Sequence, residues 1–147
     1  MLEIKTKTFQ GLTTKELYDL LQLRSEVFVV EQDCVYQDID GKDQKALHVL
    51  AYKNEILVGY ARIFKPNDYF KEASIGRVLV KQSERKYKYG YAIMKASIKV
   101  IEDYYNVSEI RISAQTYLKR FYNNLEFFEI GEEYLEDGIP HINMLKS

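Results

Sequence analysis

The residues best placed to hold an anion lie between 78 and 92, where Val78-Leu79-Val80 runs into Lys81-Gln82-Ser83-Glu84-Arg85-Lys86-Tyr87-Lys88-Tyr89-Gly90-Tyr91-Ala92. An apolar strand leads into a basic loop, and the loop leads into the start of an amphipathic helix. Unpaired N–H groups at a helix N-terminus attract negative charge, and Gly90 lets the backbone come close to it. Arg85, Lys86 and Lys88 concentrate positive charge at the same point. A pyrophosphate fits such a site. A solvated basic turn ahead of a helix fits the same residues.

Proton chemistry near neutrality points to the two histidines, His48 and His141. A strand histidine can equally be structural. Asp33, Asp38 and Asp40 form an acidic loop beside Glu31. That loop reads either as a solvated segment held by Asx turns or as an attractor of cations. Cys34, the single cysteine, has no helix N-terminus or basic partner to lower its pKa, which counts against nucleophilic catalysis. No Cys/His spacing suits zinc, so no metal is expected.

The elements that must position these groups follow from periodicity. Residues 2–9 alternate as a strand closed by Gly11. Thr13 or Thr14 caps a helix running to about residue 31, with Glu16 in its first turn and Leu17, Leu20, Leu21, Val27 and Phe28 near helical spacing. A polar connection over 32–45 carries the turn signal Asp40-Gly41. Residues 48–52 and 56–64 read as a hairpin, 74–80 as a short central strand and 90–104 as a helix. Then come a strand at 109–114, a short helix at 116–125, and a hairpin of 127–134 with 139–145 across Glu136-Asp137-Gly138. This order predicts an α/β sandwich with a mixed sheet, as a single domain over residues 1–147.

Composition narrows the partners. The chain has 147 residues, too few for two cores, and 46% apolar residues are enough for one. A net charge of −1 gives no broad field for nucleic acid or a membrane surface. The apolar run at 27–30 is far too short to span a bilayer, and residues 1–5 lack a signal peptide's apolar region. With one cysteine, the reducing cytoplasm is the expected compartment. The oligomeric state is open, a homodimer included.

The segment containing Arg85, Lys88 and Gly90 resembles motif A of the GNAT superfamily of N-acetyltransferases, whose loop reads Arg/Gln-x-x-Gly-x-Gly/Ala. Arg85 and Gly90 match its outer positions, and Lys88 stands at the first glycine. The stretch from Gln115 through Tyr122 to Phe127 is similar to the superfamily's later segment Asn-x-x-Ala…Tyr-x-x-x-Gly-Phe, with Gln115 for the Asn and Glu126 for the Gly. Segments around Leu23-Arg24, Val27–Gly41, Ile75-Gly76-Arg77-Val78 and Glu136–Ile142 look like the ElaA-type subgroup. The likeness covers essentially the whole chain.

It implies the GNAT fold, in which two neighbouring parallel strands splay apart and acetyl-CoA enters the gap. Here those strands are residues 74–80 and 109–114. Carried over by position, backbone groups of Val78 and Val80, with Leu79 between them, would pair with the pantetheine arm. An N–H near Val78 would hold the oxyanion, residues Arg85, Lys86, Tyr87, Lys88, Tyr89, Gly90 and Tyr91 would take the pyrophosphate, and Gln115 would reach the pantetheine amides. Tyr122 occupies the general acid's position, which protonates the departing thiolate; a packed core tyrosine is the alternative. His141 and Glu31 are candidates for deprotonating the amine acceptor or lining its site. The acceptor is expected to be a small-molecule or polyamine-like amine. A protein lysine or N-terminus, or a CoA-binding regulatory module without turnover, are the competing readings.

Overall fold

The computed structural model describes residues 2–147. After strand β1 (Leu2–Thr8), helix α1 (Thr14–Arg24) starts with a reciprocal cap. The Glu16 N–H donates to Thr13 Oγ1 at 3.0 Å, and the Thr13 N–H donates to Glu16 Oε1 at 2.8 Å. Beyond Arg24 the helix loosens into a π-helical segment, Ser25–Glu31. Three valines fall in that segment, and β-branched side chains crowd the preceding turn of a tight helix. A helix was expected to about residue 31; the change of pitch inside it was not.

Strands β2 (Leu47–Lys53), β3 (Ile56–Phe64), β4 (Ala73–Val80), β5 (Ile110–Gln115), β6 (Phe128–Glu136) and β7 (Ile139–Lys146) join β1 in one sheet of order β1-β2-β3-β4-β5-β7-β6. Helix α2 (Tyr89–Tyr105) and the short α3 (Lys119–Asn123) complete the chain. Alternation along the strands sends Val49, Ala51, Ala61 and Ile63 to one face, where Ile93, Met94 and Ile101 of α2 cover them. Leu50, Tyr60 and Leu79 point to the other face, against Leu20 and Leu23 of α1 and Val27 beyond it. Helices therefore lie on both faces of a mixed sheet. Gly59 makes room for α2: a Cβ there would sit 2.4 Å from Ile93 Cδ1.

The pairing of the sheet fails locally at its parallel neighbours. β4 and β5 are parallel neighbours, yet they pair only at Ala73 with Ile110 and Ser74 with Arg111. Further along they part. On its other edge β4 carries a bulge, since the register with β3 shifts between Tyr60 and Arg62. Arg77 and Val78 together oppose Ala61 there, with Arg77 in the left-handed region at φ 50°. A bulge bends its strand and increases its twist, which directs β4 away from β5.

Candidate active site

A cavity of about 450 Å³ opens where the two strands separate. Its walls include Val78 of β4, Ile112 and Gln115 of β5, Leu118, Tyr122 of α3 and His141 of β7. Tyr122 is 8% exposed and packs edge-on against Phe121 and Phe127. Among the described residues no group hydrogen-bonds its hydroxyl, and burial raises its pKa well above that of an ordinary phenol. The proton therefore stays on Tyr122 at neutral pH.

His141 lies opposite Gln115 on β5 and Tyr134 on β6, and is 6% exposed. Its Nδ1 is 2.7 Å from the carbonyl oxygen of Ile139. A carbonyl only accepts, so Nδ1 carries the hydrogen and Nε2 presents the lone pair of the neutral ring. His48 is built differently. Its Nε2 donates to the Asp43 carbonyl at 2.9 Å and its Nδ1 accepts from the Tyr60 hydroxyl at 2.6 Å. Burial, opposed by that Asp43 contact, lowers its pKa and keeps it neutral. His48 is a satisfied core residue away from the cavity.

The loop between β4 and α2 is a six-residue 3-10 turn, Gln82–Tyr87, followed by Lys88 in the left-handed region at φ 59°. Lys88 thus takes the backbone conformation that glycine favours, and Glu126 does the same at φ 69°. Helix α2 has no side-chain cap, which leaves its first N–H groups open to an anion. Gly90 serves packing: a Cβ there would lie 3.3 Å from Phe121 Cζ. The Tyr91 N–H donates to the Lys88 carbonyl, and its ring packs on Phe121, 4.6 Å between centroids. Tyr87 and Tyr89 pair with each other, and Lys53 Nζ sits 4.1 Å from the Tyr87 ring. The side chain of Leu79 is buried toward α1, so only its backbone faces the gap.

Arg85 does not stand free. Its Nε donates to the Val80 carbonyl at 3.0 Å, and its terminal nitrogens both engage the Glu31 carboxylate, one at 2.7 Å. Glu31 is accordingly tied to the basic loop and does not line the cavity beside His141. Its neighbour Gln32 donates to Gln115 Oε1 at 3.3 Å. Residues 31 and 32 thus bridge to both sides of the gap.

The acidic loop also differs from either expectation. Asp38 accepts from Arg24 Nε at 2.9 Å and Arg77 Nε at 2.7 Å, and Asp43 from Arg24 at 2.7 Å and Arg62 at 3.0 Å. Asp40 takes Arg62 end-on at 2.8 and 2.9 Å and closes an Asx turn with the Lys42 N–H. Burial opposes ionisation of Asp40 and Asp43, but the guanidinium hydrogen bonds win and hold both carboxyls below the usual range. The loop is a buried ion-pair lattice that fixes one wall of the cavity. Asp33 takes no part in it. Cys34 Sγ donates to the Asp137 carbonyl at 3.2 Å, a thiol holding the loop to the β6–β7 turn.

Several of these groups escaped sequence reasoning. Arg24 and Arg62 sit in otherwise apolar faces, and a charge inside such a pattern is the signal that a buried partner exists. Glu136, Phe64, Tyr69 and Phe70 also line the cavity.

Comparison with known proteins agrees with this architecture. The family model "Acetyltransferase (GNAT) domain" matches residues 8–147. Protein ElaA of Escherichia coli (strain K12) is 41% identical over 148 residues, covering 99% of this chain and 97% of that protein. An acyl-CoA N-acyltransferase from Pseudomonas aeruginosa superposes with a TM-score of 0.95 at 38% identity, and the crystal structure of Escherichia coli ElaA with 0.93 at 40%. Both superpositions cover 100% of each chain.

Proposed function

The chain belongs to the GNAT acetyltransferase family, in its ElaA-type group, and is an acyltransferase; on that premise we propose that it moves an acetyl group from acetyl-CoA directly to a primary amine of a small, polyamine-like molecule. One observation carries the reading: Tyr122, a phenol held protonated, and His141, an imidazole with its Nε2 lone pair free of the backbone, line one cavity where β4 and β5 part.

Two features fit the donor. The parting of β4 and β5 leaves strand edge at Val78 and Val80 for an extended amide chain, with Gln115 across the gap. The uncapped first turn of α2, with Arg85, Lys86 and Lys88 around it, suits a pyrophosphate. When bound, acetyl-CoA supplies the acetyl group as a thioester. His141 Nε2 accepts the proton that the ammonium must lose before its nitrogen can attack. The Val78 N–H holds the carbonyl oxygen as it becomes an oxyanion. Tyr122 gives its proton to the sulfur as the carbon–sulfur bond breaks, and is reprotonated by the second proton lost from nitrogen.

A cavity of about 450 Å³ is the size of a small-molecule pocket, which favours a compact acceptor over a peptide. The left-handed backbones of Lys88 and Glu126 weaken the case for a binding module that has lost turnover. The cytoplasm is the compartment we assign, as a single domain with one free thiol. The test is a panel of amines and peptides with acetyl-CoA, read as free CoA thiol. Thiol release with small amines and not with peptides is expected; release with peptides alone would reverse the acceptor assignment.

A further inference from the structure

Oε2 of Glu136 and Nε2 of His141 face each other in the cavity. Oε2 of Glu136 lies 3.5 Å from Nε2 of His141, beyond good hydrogen-bond length. The other carboxylate oxygen, Oε1, lies 3.4 Å from Ser113 Oγ, also longer than a good hydrogen bond. The Tyr134 hydroxyl contacts Ser113 Oγ, with either hydroxyl able to donate. Ser113 thus flanks one end of the carboxylate, and Oε2 is turned to the imidazole. On the other side, the Ile139 carbonyl holds the hydrogen on Nδ1 and the Tyr134 ring stacks on His141 at 6.1 Å. The imidazole is oriented from behind, and in its neutral form it presents a lone pair toward the carboxylate.

We propose that Glu136 Oε2 and His141 Nε2 form the subsite for the acceptor's ammonium group, so that Glu136 sets the preference for a cationic primary amine. The assignment rests on the acyltransferase reading above and deepens it. A primary ammonium has three N–H donors and one positive charge: one hydrogen bond goes to the carboxylate and one to the imidazole. The arrangement selects the cation for binding and sets the nitrogen that accepts its proton beside it. Glu136 is a positioning residue; the proton goes to His141.

The histidine count makes a direct measurement practical, because the only two ring signals belong to His48 and His141. Histidine ring resonances are followed while n-propylammonium chloride, tetramethylammonium chloride or n-propanol is added at one fixed pH. The His141 signals are expected to move with n-propylammonium and to stay put with the other two, which lack either the N–H donors or the charge. His48 is expected to be silent. Glu136→Gln should weaken the n-propylammonium titration at least about tenfold, in the range for hydrogen bonds to charged groups. The acetyl-CoA-induced rise in Tm should be the same in that variant as in the wild type. Equal shifts with tetramethylammonium, no shift of His141 at all, or wild-type affinity in Glu136→Gln would each overturn the subsite. An absence of acetyl transfer to every amine, with the His141 titration intact, would sink the proposed activity instead and leave the subsite standing.

Discussion

The guanidinium of Arg85 grips the carboxylate of Glu31 with two nitrogens, one of them at 2.7 Å, joining residues 54 apart in the chain. This pair ties the end of the π-helical segment to the loop that follows β4. An anion approaching the loop must compete with Glu31 for the same guanidinium.

Glu31→Gln should therefore tighten acetyl-CoA binding at low salt. Partly exposed ion pairs are weak, so the gain is expected to be a few-fold, about 1.5- to 5-fold. Titration calorimetry checks it, with Arg85→Ala as the reverse control, where binding loosens and its salt dependence falls. Weaker binding in Glu31→Gln would mean that the carboxylate supports the loop more than it competes for it.

Asp43→Ala should be destabilising. It removes the carboxylate shared by Arg24 and Arg62, both buried, and leaves Asp38 as the remaining acidic partner of Arg24 and Asp40 as that of Arg62. Losing a hydrogen bond to a charged group costs about 1.5–3 kcal/mol, which lowers Tm by roughly 3–12 °C in a chain of this size. A thermal melt with a change under 2 °C (about 1 kcal/mol or less) would contradict the lattice.

That lattice marks where the sequence became illegible. Strand alternation and helical spacing predict every strand within a residue or two, because each depends on neighbours close along the chain. Arg24 reaches Asp38 and Asp43 across 14 and 19 residues, and Arg77 reaches Asp38 across 39, so no local pattern announces the pairing. The left-handed turns at Arg77, Lys88 and Glu126 are hidden for another reason: none is a glycine. Of the cavity wall, Val78, Gln115, Tyr122 and His141 are residues that motif and residue type had singled out. The engagement of Glu31 by Arg85 and the facing of Glu136 and His141 needed coordinates.

Stability should fall on acidification and not on mild alkalinisation. His48 has a folded pKa below its unfolded one, and so do Asp40 and Asp43. For such groups the unfolded chain binds more protons between the two values, so stability rises with pH there. The His48 contribution is complete above its unfolded value of about 6.5 and declines below it. The aspartate contribution is complete above about 3.9 and is lost as pH falls further. Melting temperatures across the acid range should show a shallow first decline and a steep second one. A Tm that rises as pH drops from 7 toward 5 (~1–2 units, spanning the histidine step) would contradict the His48 assignment.

Tyr122→Phe tests the catalytic reading most directly. The substitution keeps the ring that packs against Phe121 and Phe127 and deletes only a hydroxyl that no described group bonds. Tm and acetyl-CoA affinity should therefore match the wild type. General acid catalysis is worth about 10²–10⁴-fold, and the single-turnover rate of acetyl transfer, with the best amine from the thiol-release panel, should fall within that range. The deficit should narrow with an acyl donor whose thiol is the better leaving group. Wild-type single-turnover chemistry in Tyr122→Phe would contradict the account, and Tyr122 would then be a packing residue of α3.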